Sequence, residues 1–298
     1  MNHRSYAAPG TLAEALDLLA DRPGTRPVAG GTDLVVAARG GKAPLPGSLL
    51  ALHRIDELRG LHADDAGLTI GAGTSHATLT TDPAVRDRWS ALSDASALVG
   101  SPATRATGTL GGNLMNASPA MDTGSPLLVL GARIGLRRAG GHRTLPVERF
   151  LTGPGRTAAA PDELLTEVTV PAPAPRSGSA YVRLEHRRAM EIAVVGAAAA
   201  VTLDPAGRFV AAAVALTAVA PTCLLVPGIG DLLAGRHPDP EALALAGATA
   251  RASVRPISDV RAGAGYRAAM VAVLVGRALT AAAGRARNAP HIPAGRTA

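Results

Sequence analysis

The chain has 298 residues and a formal charge of +7, enough length for two domains of ordinary size, each with its own core. Its few aromatics (Tyr6, Trp89, Phe150, Tyr181, Phe209 and Tyr266) leave an aliphatic core and no stacking platforms for single-stranded nucleic acid. The positive charge is nearly all Arg, spread along the chain with Lys42 as the only lysine, so nucleic-acid binding is not expected. Cys223 is the only cysteine, which excludes an internal disulfide and any four-cysteine iron–sulfur site within this chain. The His residues show no HxxxH or HExxH spacing, so no metal site is expected. No apolar run approaches the roughly 18 residues a membrane span needs. The longest, Ile192–Val201, is broken at Gly196, and Met1–Tyr6 has no apolar signal region. A soluble cytoplasmic protein is expected.

Thr11 and Glu14 form a capping box for a first helix with Leu12, Leu16 and Leu19 on its apolar face, ended by Pro23-Gly24. Arg26–Ala29 reads as a strand running into Gly30-Gly31-Thr32-Asp33, and Leu34–Arg39 as a helix stopped by Gly40-Gly41. Leu49–Leu52 and Leu68–Gly73 read as strands, Asp82–Val99 as a helix, and the glycine-rich Pro102–Met115 as a loop or bulged strand. Leu127–Leu136, Arg143–Val147 and Leu164–Val170 read as further strands. Three prolines at alternate positions, Pro171, Pro173 and Pro175, followed by Arg176–Ser179, predict an extended connector. Beyond it, Ala180–Leu184, Ala193–Leu203 and Phe209–Leu216 read as a meander, with Asp204–Gly207 as a turn. Pro240–Arg251 and Tyr266–Ala283 read as helices, and Asn288–Ala298 as a flexible tail.

Two glycine-pair loops carry the chemical signal. In Val28-Ala29-Gly30-Gly31-Thr32-Asp33-Leu34, the glycines permit positive φ and remove Cβ atoms, so amides can turn toward an anion at the start of a helix. Thr32 adds a hydroxyl, and Asp33 is expected to cap the helix. Alone, this loop is no more than a turn signal. The second segment, Thr109-Leu110-Gly111-Gly112-Asn113, again pairs glycines with a hydroxyl and an amide; Asp122 follows after the Ser118-Pro119 turn and can accept from ribose hydroxyls. Two such loops point to a dinucleotide. Gly71-Ala72-Gly73-Thr74-Ser75-His76 lacks the third glycine of GxGxxG, which disfavours a Rossmann site.

The order of these loops resembles the FAD-binding medium subunit of molybdenum hydroxylases, the carbon monoxide dehydrogenase, xanthine dehydrogenase and aldehyde oxidase group. The resemblance runs from Tyr6 to Leu279. It includes Ile70-Gly71-Ala72, Glu163-Leu164-Leu165, Arg187–Val195, Val219–Thr222, Ser258–Arg261 and Tyr266-Arg267. It implies an α+β fold: a p-cresol-methylhydroxylase-type FAD-binding domain over residues 1–175, with subdomains at about 1–56 and 57–175. A C-terminal sheet-plus-helices domain of the CO dehydrogenase flavoprotein type then follows over 176–287. It implies non-covalent FAD, with both glycine loops on the pyrophosphate, Asp122 on the adenosine side, and Leu165 and Arg183 near the flavin. Most relatives carry Lys where this chain has Arg183 and Asp where it has Glu191, and a planar fork is not an ammonium. His76 is the nearest candidate for covalent attachment, with a structural or capping role the simpler reading; Cys223 reads as a small buried residue.

The implied partners are an iron–sulfur small subunit and a molybdopterin large subunit, with NAD, a quinone or O2 as external acceptor; no catalytic residue is assigned. A standalone FAD-dependent oxidase or dehydrogenase is the alternative, and a colourless interaction protein a third.

Overall fold

A computed structural model describes residues 5–41, 43–187 and 189–289 of the chain. Lys42, Arg188 and most of the expected tail (290–298) lie outside the described residues. Strand β1 (Ser5–Ala7) leads into helix α1 (Leu12–Asp21). Thr11 Oγ1 accepts from the Glu14 amide at 3.2 Å, as the capping box requires, while Glu14 Oε2 reaches the Gly10 amide at 2.9 Å, one residue before the cap. Strand β2 (Arg26–Val28), helix α2 (Thr32–Arg39) and strand β3 (Ser48–Ala51) complete a parallel sheet of order β1-β3-β2. Leu16, Leu19, Leu50 and Ile55 form its core, which Leu164 enters from a distant strand.

The middle of the chain builds an antiparallel sheet covered by short helices. Its elements are β4 (Leu61–Ala63), β5 (Gly67–Gly71), α3 (His76–Thr81), α4 (Pro83–Arg88), α5 (Ser90–Leu98), α6 (Pro102–Thr107), α7 (Leu110–Asn116) and α8 (Gly124–Val129). Then come β6 (Arg133–Arg138), β7 (Gly141–Pro146), α9 (Val147–Phe150), the hairpin β8 (Leu151–Gly153) and β9 (Arg156–Thr157), and β10 (Leu164–Pro171); the main sheet runs β4-β5-β10-β6-β7.

Three expectations fail here, each for a local reason. The helix over Asp82–Val99 is two helices, because Trp89 leaves helical geometry (φ −124°, ψ 44°) to bury its ring and donate Nε1–H to the Pro171 carbonyl at 2.9 Å. Pro102–Met115 is not a loop but α6 and α7. Ser101 Oγ accepts from the Thr104 amide and Thr109 Oγ1 from the Gly112 amide, and these caps with tertiary packing outweigh the poor helix propensity of glycine. Leu127–Leu136 is not one strand: α8 ends in a turn at Gly131 (φ +68°) before β6 begins, an ambiguity that an apolar run leaves open.

Pro171 still pairs with Gly67 at the end of β10. Strand β11 (Ser177–Leu184) begins three residues before the Ala180 start that the sequence suggests. With β12 (Val195–Leu203), β13 (Phe209–Thr217) and β14 (Leu224–Leu225) it forms an antiparallel sheet of order β11-β12-β13-β14, and the Asp204–Gly207 turn joins β12 to β13 as expected. Helices α10 (Ile229–Leu233), α11 (Pro240–Ser253) and α12 (Ala264–Asn288) follow. Small residues let α12 lie close on the sheet: a Cβ on Gly178 would stand 2.5 Å from the Ala286 amide nitrogen. By length and hydropathy α12 is one helix that could cross a membrane, but Val271, Leu274, Val275, Ala278, Leu279 and Ala282 are buried against β11, β12 and α11, as in a core helix. Arg267 on α12 is also buried and donates to Asp259 Oδ1 at 2.8 Å, which accounts for two of the C-terminal signposts.

Candidate cofactor site

The first glycine loop ends β2 and starts α2. Gly31 adopts φ +69°, a left-handed conformation, and stands at the N-cap, so Thr32, Asp33 and Leu34 form the first helical turn. Asp33 therefore does not cap the helix; its side chain is exposed in that turn and the cap has no side-chain acceptor. The first intrahelical bond is Val35 N–H to Gly31 O at 2.9 Å. Among the described residues the amides of Asp33 and Leu34 have no partner, and they sit at the positive end of the helix. That arrangement suits the phosphate of a nucleotide cofactor.

The second glycine loop lies directly on the first. A Cβ on Gly30 would collide with the Thr107 carbonyl, 2.7 Å from its carbon and 3.1 Å from Gly108 Cα. Gly108 in turn faces Thr32 Oγ1 and the His76 ring, each 3.5 Å from where its Cβ would stand. The amides of this loop bond within the protein. Leu110 donates to Thr74 O (3.0 Å), Gly111 to Ala72 O (2.8 Å), Gly112 to Thr109 Oγ1 (3.0 Å) and Asn113 to Thr109 O (3.0 Å). The leading amides of α7 are thus engaged inside the protein. What this loop offers a ligand is the Asn113 side chain, whose Oδ1 accepts from Thr123 Oγ1 at 2.7 Å and whose NH2 stays a donor.

Sequence reasoning missed the role of Gly71–His76. Dismissed as an incomplete dinucleotide fingerprint, it is the staple under the second loop. Ala72 and Thr74 accept the amides above, Ser75 bridges Thr109, and the His76 amide donates to Gly108 O at 3.1 Å. Gly111 must lack a side chain because its Cβ would stand 2.7 Å from the Ala72 carbonyl oxygen. The one local signal was the hydroxyl pair Thr74-Ser75 just before a helix.

His76 does not cap α3; Ser75 does, accepting from the Thr78 amide at 3.1 Å. The imidazole is buried, its Nδ1 has no partner among the described residues, and burial, then the Arg105 charge, hold its pKa down to about 4. The sign follows. Between pH 6.5 and about 4 the unfolded chain binds a proton that the folded chain refuses, so stability falls as the pH drops through that window. The loss attributable to His76 is about 3 kcal/mol. Urea unfolding from pH 7 to pH 4 is expected to show this slope in the parent chain and to lack it in His76→Leu; equal slopes would refute the assignment.

Asp122 and Arg183, expected at different parts of the cofactor, are brought together. Asp122 is buried after the Ser118-Pro119 turn; Oδ1 accepts from the Tyr181 hydroxyl and Oδ2 from Arg183 Nη1, both at 2.7 Å. Arg183 spends its remaining fork on Glu185, with Nε donating at 2.7 Å and Nη2 also bonded there, while Nη1 also donates to Leu98 O. Burial raises the Asp122 pKa, and Arg183 and Tyr181 pull it back; the Tyr181 hydroxyl itself is pushed well above the usual tyrosine range. Leu165 is buried on β10, beside Thr166, whose carbonyl accepts from the Ala72 amide of the staple at 2.9 Å. Cys223 is buried with its thiol pushed up to about 12, near Thr217 Oγ1 and the Met121 carbonyl, an inert packing residue.

Comparison with known proteins accords with this geometry. Residues 2–173 match the family model of the FAD binding domain in molybdopterin dehydrogenase, and residues 179–282 that of the CO dehydrogenase flavoprotein C-terminal domain. The chain is 34% identical over 284 residues to the carbon monoxide dehydrogenase medium chain of Afipia carboxidovorans, covering 95% of this chain and 98% of that one. It is 34% identical over 220 residues to the putative xanthine dehydrogenase FAD-binding subunit XdhB of Escherichia coli, covering 73% and 75%. Reconstituted CO dehydrogenase from Oligotropha carboxidovorans superposes with a TM-score of 0.90 at 32% identity over 94% of this chain and 98% of that one.

The architecture is that of an α+β flavoprotein, an FAD-binding domain followed by a CO dehydrogenase-type C-terminal domain. The chain belongs to the family of FAD-binding medium subunits of molybdenum hydroxylases. It is thus an FAD-dependent oxidoreductase subunit of the CO and xanthine dehydrogenase type.

Proposed function

We propose that the chain binds FAD non-covalently at the joined glycine loops and serves as the electron-transfer subunit of a molybdenum hydroxylase-type complex. The observation that carries this reading is the open N-terminus of α2, fixed beneath Thr107 and Gly108 by the side-chain-free Gly30. In this reading the amides of Asp33 and Leu34, with the Thr32 hydroxyl, bind the pyrophosphate, and Ala29, Gly30 and Gly31 keep the approach clear. Asn113 donates from the opposite loop. Val28, Thr109, Leu110, Gly111 and Gly112 shape the wall and hold the donors in place. Leu165, Asp122 and Arg183 support the site from β10, the 117–123 turn and β11. The FAD-binding part extends over residues 1–175 and the C-terminal part over 176–287.

Bound FAD supplies redox chemistry in both one- and two-electron increments, which suits a position between iron–sulfur clusters and an external acceptor. The single cysteine means that clusters come from another chain, an iron–sulfur small subunit, with a molybdopterin large subunit beyond it. NAD, a quinone or O2 completes the route in a cytoplasmic assembly. The test is anaerobic mixing of the FAD-loaded chain with a reduced two-iron ferredoxin. Bleaching of the flavin absorption, with no turnover of xanthine, CO or glyceraldehyde by the chain alone, is expected. Steady turnover of any of them by the isolated chain would favour a standalone dehydrogenase instead.

A further inference from the structure

We infer that Tyr181, on the C-terminal sheet, is a positioning residue for the FAD site, acting through Asp122 and Thr123 on the Asn113 side chain. The inference rests on the FAD reading above and extends it to residues of β11 and β12. The Tyr181 hydroxyl donates to Asp122 Oδ1 at 2.7 Å, and the next residue, Thr123, donates through Oγ1 to Asn113 Oδ1 at 2.7 Å. Tyr181 and Thr123 are both buried, and Asn113 is the middle residue of α7, within the second glycine loop. Because Oδ1 of Asn113 is occupied by Thr123, the amide can present only its NH2 to an anionic ligand. The orientation of that donor therefore follows the position of the 122–123 peptide, which Tyr181 and Arg183 hold from the C-terminal sheet.

Tyr181 is itself confined. A Cβ on Gly196, which pairs with Arg183 on β12 and so lies diagonally from Tyr181, would strike the Tyr181 hydroxyl and stand 2.9 Å from Cζ, so the ring fills a socket that only glycine leaves open. On the far side, Arg183 Nη1 bonds both Asp122 and the Leu98 carbonyl that ends α5, so the turn is gripped at two points by β11. The loop that faces the cofactor is in this way registered against a domain that contributes no glycine loop. A consequence is that cofactor affinity depends on a hydroxyl which makes no contact with the cofactor.

The test is a double-mutant cycle on the full chain, with the FAD dissociation constant as readout and the thermal midpoint of the apoprotein measured beside it. Tyr181→Phe and Thr123→Val are each expected to weaken FAD binding roughly fivefold to tenfold. The double variant should be no weaker than the weaker single one, because both cut the same path. A merely structural role would lower the apoprotein midpoint and leave the dissociation constant of the folded fraction unchanged, or would give additive losses; either result overturns the proposal. If Tyr181→Phe fails to fold, Thr123→Val decides alone: weaker FAD binding at an unchanged apoprotein midpoint supports it, and unchanged binding refutes it. A parent chain that binds no FAD would overturn the functional reading itself, a result distinct from all of these.

Discussion

Gly30→Ala is expected to leave a chain that no longer retains FAD, with affinity reduced at least about a hundredfold. The cause is steric and backbone-borne. The new methyl would meet the Thr107 carbonyl and Gly108 Cα, neither of which is the end of a flexible side chain that could swing away. The two glycine loops must then separate. The open N-terminus of α2 is then displaced from Thr107 and Gly108, and forced overpacking of this kind costs about 1–3 kcal/mol of stability as well. The measurement is FAD binding by spectral titration, with circular dichroism to establish that the variant is folded. Gly265→Ala, in the first turn of α12 with nothing near its Cβ, should bind FAD as the parent does and gain slightly in stability. If Gly30→Ala binds FAD normally, the contact between the loops is not what builds the site.

Asp122→Ala should cause the larger loss of stability, about 3–5 kcal/mol. The substitution strips the acceptor from a buried tyrosine hydroxyl and one of two acceptors from Arg183 Nη1, leaving the guanidinium with Glu185 and the Leu98 carbonyl. Breaking a buried pair from one side costs more than the pair contributes, because the remaining charge cannot return to water. Since Asp122 lies on the turn after α7 and its partners on β11, the damage should appear as loosened docking of the C-terminal sheet, read as lost amide protection in both α7 and β11 by hydrogen exchange. Glu241→Gln, which breaks the exposed 3.9 Å pair with Arg236, should change stability by less than about 0.5 kcal/mol. Comparable losses from the two variants would show that the Asp122 network is not a buried structural pair.

What could be read from the sequence follows from range. The Thr11 cap, the Asp204–Gly207 turn and the strands of the C-terminal meander depend on residues within a few positions of one another, and their chemistry is visible locally. The helices α6 and α7 were visible in principle through Ser101 and Thr109, but the glycine content of Pro102–Met115 outweighed those caps in a reading without tertiary contacts. The sequence offers Asp122 as an acceptor and the resemblance to a family adds Leu165 and Arg183, yet neither indicates that Asp122 and Arg183 bond each other across 61 residues. Nor was it visible that the Leu110 and Gly111 amides bond Thr74 and Ala72, because backbone-to-backbone pairing leaves no mark on residue type. The contact of Gly30 with Thr107 is of the same sort: a missing side chain whose reason lies far along the chain.

A non-covalent FAD site at the joined glycine loops is measured by quantifying flavin in the purified full-length chain. The chain is loaded with excess FAD, freed of unbound cofactor, and then denatured. FAD stoichiometric with the chain is expected before denaturation, all of it released to the supernatant afterwards. A chain that stays colourless after loading, or flavin that remains with the denatured protein, would contradict a non-covalent site there.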